Sequence, residues 1–119
     1  MTDRKTNIVC TKVDPGICGF TCVVKAQKKG PRAVAIEISG SECKQIQKLS
    51  GLLQEMSLIE LFKPITVNPV MISAQSAGCH TSCTIPLAIF KTVEVALAMA
   101  LPRDVKLNVS IDENCSKDI

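Results

Sequence analysis

A chain of 119 residues, 46% hydrophobic and 21% charged, fits one compact domain, residues 1–119, burying about two-thirds of the surface its unfolded form exposes. With three phenylalanines and neither tyrosine nor tryptophan, the core has to be built from valine, isoleucine, leucine and alanine. A net charge of +3 spread along the chain excludes a strong polyanion site, so nucleic acid is not an expected partner.

Two further classes drop out on local grounds. The amino-terminal MTDRKTNIV is polar where a secretory signal carries an apolar run of about 7 to 15 residues, which makes a cytoplasmic location the expectation. The longest apolar segment, residues 85–101, is interrupted by Lys91 and Glu94 and is shorter than the ~20 residues that span a bilayer, so no membrane partner is expected.

In chain order, residues 8–13 have strand character and stop at the turn signal Asp14-Pro15-Gly16. Residues 21–26 and 33–39 read as a second and third strand, joined by the basic stretch KAQKKGPR, whose Gly30-Pro31 marks a solvated turn. Ser41 is the expected cap of a helix carrying Ile46, Leu49, Leu52, Leu53 and Met56 at helical spacing. After an undetermined stretch, residues 70–74 read as a short buried strand that leads into GCHTSC. Thr84 and Pro86 then open a second helix, which runs to about Leu101 and stops before Pro102. Finally Val105, Leu107, Val109 and Ile111 alternate with polar residues, the period of a half-buried strand. The expected fold is therefore α+β, an α/β sandwich with a single mixed sheet in the order β-β-β-α-β-α-β and two main helices.

The cysteines carry the chemistry. There are seven, an odd number that cannot all pair internally, in a chain without the export signal that an oxidised framework needs. Following the expected chain reversals, Cys18, Cys22, Cys43, Cys79, His80 and Cys83 all emerge at one edge of the sheet, where open α/β sheets bind ligands, and Cys115 approaches the same side. Cys10, inside a strand, reads as a packing residue. Cys43 and Cys83 sit at helix starts, where unpaired N–H groups favour thiolate, the form that binds soft metals and attacks electrophiles.

Cys18, Cys43, Cys79 and Cys83 form an all-thiolate set suited to an iron–sulfur cluster or, as an alternative, zinc; His80 in place of one sulfur gives a zinc-like Cys₃His set. Of the first pair, Cys18 in its glycine-flanked turn is the stronger candidate and Cys22 the weaker. Both close pairs are C-x₃-C, which matches neither the ferredoxin run nor the zinc ribbon, and no C-x-x-C or nucleotide-binding glycine motif is present. No catalytic residue is assigned.

The stretches DPGICGFTC, ISGSEC, NPV, AGCHTSCTIP and LPRDVKLNV, between Asp14 and Val109, resemble a family of small cysteine-containing proteins from anaerobic bacteria and archaea. The resemblance implies a prokaryotic intracellular setting and a shared cysteine site, and brings no reaction or substrate. Three functions stay open: a metal-centre protein serving electron transfer, sensing or delivery, with a redox protein as partner; a thiol enzyme or switch using Cys79 and Cys83; and a homo-oligomeric scaffold with structural cysteines.

Overall fold

The computed structural model describes residues 7–111. Its first half is a meander of three strands, β1 (Ile8–Val13), β2 (Cys22–Lys28) and β3 (Ala33–Ser39), each antiparallel to the next. Alternation decides which face is covered. Cys22, Val24 and Ala26 of β2 and Val34, Ile36 and Ile38 of β3 are buried, while Ala35, Glu37 and Ser39 face outward. In the β1 register Val9, Thr11 and Val13 lie opposite Ala26, Val24 and Cys22, and complete the inner face.

Helix α1 (Lys44–Leu52) follows β3 and buries Ile46 and Leu49. Its start is not capped by Ser41 in the expected way: Cys43 occupies the cap position, and its N–H donates to Ser41 Oγ at 3.1 Å. Met56, in phase with the helix by sequence, instead lies buried in a three-residue strand, β4 (Glu55–Ser57), paired with the start of β3. A short α2 (Leu58–Leu61) opens with a reciprocal cap between Ser57 and Glu60. A 3₁₀ turn (Ile65–Val67) leads to α3 (Pro69–Ala77), and α4 (Ile85–Ala96) packs across β1 and β2. The hydroxyl of Thr11 on β1 meets that of the buried Thr92 on α4 at 2.6 Å. Thr92 donates to Ala88 O, which makes Thr11 the donor to Thr92.

The domain is α+β, but its sheet and element order differ from the expectation. Among the described residues all four strands are antiparallel in the order β1-β2-β3-β4, with no parallel crossover, and four α-helices are present rather than two main ones. Residues 70–74 are helical: Asn68 caps α3 by accepting Val70 N–H at 3.0 Å, and Pro69 fits the first turn. A short apolar run is compatible with a buried strand or a buried helix by periodicity alone, and the cap decides. Helix α4 ends at Ala96 instead of near Leu101, because Ala98 turns left-handed (φ 62°) and the N–H groups of Ala98 and Met99 return to Val95 O and Glu94 O. The expected last strand is not part of the sheet: residues 105–111 are exposed and belong to no strand or helix. Among the described residues, no helix is long and apolar enough to cross a membrane.

Candidate metal centre

Four thiols belong to element ends that meet at one rim. Cys22 opens β2, Cys43 caps α1, Cys79 follows the end of α3, and Cys83 directly precedes Thr84, the cap residue of α4. Helix α3, rather than a strand, brings the chain back to this rim. At its end Gly78 adopts φ 81°, a left-handed conformation that glycine takes without penalty, and Cys79 N–H closes on Ala74 O at 2.9 Å. The following turn is held by Cys83 N–H donating to His80 O at 3.0 Å.

Cys22 is only 2% exposed and belongs to the hydrophobic core, with Cys43, Cys79 and Cys83 half-buried against that core. Burial pushes the Cys22 thiol up to about 11, and negative charge at Cys83 and Cys43 pushes in the same direction. Burial raises Cys79 to about 11 as well, again helped by Cys83 and Cys43 and by a hydrogen-bonding interaction with Cys83 that favours the protonated form. Each of these two thiols therefore feels the charge of the same two neighbours. The Cys43 thiol itself donates to Gln45 Oε1 at 3.2 Å.

Of the remaining sequence candidates, Cys18 and His80 are exposed, and Cys22 is the member of the first pair whose thiol feels the charge of Cys43 and Cys83. The signal for Cys22 was present in the sequence: it is in phase with Val24 and Ala26 and so points inward. Cys10 is corrected from a packing residue to an exposed one, since its register partner is Lys25 on the uncovered face of the sheet. Cys115 lies outside the described residues.

Two local features bear on what this rim can hold. Among the described residues no three His, Cys, Asp or Glu side chains converge as they stand on a point that would hold one metal ion. Beside Cys83, the hydroxyl of Thr84 is buried without a hydrogen-bond partner among the described residues, an unmet polar group at the start of α4. Neither Gln45 nor Thr84 could be singled out from sequence, because no spacing rule marks a glutamine or threonine as a thiol's neighbour.

Fold and site together define a small α+β domain with four thiols gathered beside the starts of α1 and α4. The chain belongs to a family of unknown function, DUF6951, whose family model matches residues 9–109. No curated protein and no solved structure matches it.

Proposed function

We propose that Cys22, Cys43, Cys79 and Cys83 hold a metal centre, an iron–sulfur cluster first and zinc second, and that the protein serves electron transfer, sensing or delivery of that centre. The observation that carries this reading is that Cys43 and Cys83 act electrostatically on both Cys22 and Cys79, so that three chain segments bring four sulfurs to one half-buried rim. An all-sulfur donor set suits iron–sulfur clusters and structural zinc alike. Three of the four sulfurs are only half-buried, so the centre would sit just beneath the surface, within reach of a redox partner protein.

A second reading rests on the interaction between Cys79 and Cys83. As a thiol pair they would form a reversible disulfide, releasing two electrons and two protons to a disulfide or peroxide oxidant.

Anaerobic purification followed by iron, acid-labile sulfide and zinc analysis separates these. Brown protein with stoichiometric iron and sulfide is expected, with the content lost in Cys22→Ser, Cys43→Ser, Cys79→Ser and Cys83→Ser and kept in Cys10→Ser and Cys18→Ser. Colourless protein with stoichiometric zinc and the same pattern would keep the site and change the metal. Metal-free protein in which Cys79 and Cys83 alone oxidise would replace the proposal with the thiol switch.

A further inference from the structure

One segment is patterned for a sheet it does not join. Val105, Leu107, Val109 and Ile111 alternate with Lys106, Asn108 and Ser110, yet Val109 is 98% exposed and Ile111 104%. Residues 105–111 make no hydrogen bond to another described residue, so unpaired backbone and four aliphatic side chains face water together.

The sheet has a matching vacancy in its pairing. Among the described residues β1 pairs only with β2, which leaves a six-residue edge open. The other edge is less suited: β4 spans three residues, and beyond it Ile36 N–H already donates to Gln54 O at 2.8 Å. On β1 the inner row Val9, Thr11 and Val13 is only half-buried, because α4 covers it from one side and no strand flanks it on the other. A strand added there would continue the inner face with its aliphatic residues and turn Lys106, Asn108 and Ser110 to the uncovered face.

The segment does not cover this edge within its own chain: after the left-handed Ala98 every described residue to 111 is exposed, and none pairs with the sheet. We propose that residues 105–111 of one molecule pair as a fifth strand with β1 of a second copy, and that the exchange is reciprocal, giving a two-fold dimer. Main-chain hydrogen bonds along β1 supply affinity, and the aliphatic alternation sets register and face. Two identical exchanges occupy both β1 edges and both tails, which closes the assembly at two chains.

Light-scattering mass and amide hydrogen exchange of the full reduced chain test this, with reductant present so that the exposed Cys10 and Cys18 cannot link molecules. The dimer mass is expected, with amides in 8–13 and 105–111 exchanging at least about tenfold more slowly than in the dilute, dissociated chain. Leu107→Asp combined with Val109→Asp should give a folded monomer, as both side chains are exposed in the single chain. Asn108→Pro, which removes one tail N–H, should weaken the dimer without touching the core. A monomer at all concentrations would overturn the proposal, as would a dimer that survives Leu107→Asp with Val109→Asp. Concentration-independent protection of 105–111 in a monomer would show the tail on its own edge, and would overturn it too.

Discussion

Cys22 and Cys79 hold their protons more tightly than a free thiol, and this sets the pH behaviour of the metal-free chain. Each has a folded value near 11 against 9.0 for the unfolded group. Below about pH 9 the thiols are protonated in both states and impose no penalty; above it the unfolded chain ionises first. Stability of reduced, metal-free protein should therefore fall as pH rises from 9 toward 11, with Cys22 alone contributing a loss on the order of 2 kcal/mol, read from urea midpoints. Cys22→Ala should flatten that decline. Metal loading has the opposite dependence: thiols protonated at neutral pH must release protons to bind, so affinity should strengthen as pH rises from about 6 to 8, a trend measurable by competition with a chelator.

A second residue does structural work at one point. Asn68 is 1% exposed; its Nδ2 donates to the carbonyls of Glu60, Leu61 and Lys63 while its Oδ1 caps α3. Asn68→Ala should cost about 2–3 kcal/mol in chemical denaturation. Asn68→Asp should not rescue it, because the cap oxygen survives but the donor is replaced by negative charge facing three carbonyls.

Among the elements, the end of α4 carries a local conflict. Ala98 occupies the left-handed position of the helix stop, where a Cβ is disfavoured. Ala98→Gly should raise stability by about 1 kcal/mol and leave the fold unchanged, visible as a higher urea midpoint. The same position explains why the helix was legible at its start and not at its end: Pro86 marks the first turn, whereas no glycine announces the stop. The three opening strands were legible because one covered face imposes period two on β2 and β3. Helix α3 was not, since it buries Val70, Ala74 and Ala77 while the apolar Met71 and Ile72 lie outside that buried set, which leaves too little contrast to fix a period.

For the molecule as a whole, counting chain reversals puts Cys18, Cys22, Cys43, Cys79, His80 and Cys83 at one rim, and the change of α3 from strand to helix leaves that count unaltered because either element returns the chain to the same side. What reversal counting does not resolve is depth. Cys18 and Cys22 share a rim region by sequence, but only the inward phase of β2 carries Cys22 to the other thiols. The expected last strand has the period of a strand but is none among the described residues, since periodicity alone supplies no partner to pair with. A centre bound to the folded chain alone adds to stability by mass action, so loaded protein should melt at a higher temperature than chelator-treated protein.

Mass-spectrometric alkylation mapping of anaerobically purified, folded protein before and after chelation tests the shared site most directly. The account predicts that Cys43, Cys79 and Cys83 resist alkylation in loaded protein and become reactive together once the metal is removed, while Cys10 and Cys18 react equally in both. Unchanged reactivity of those three on chelation, or a change confined to Cys18, would contradict it.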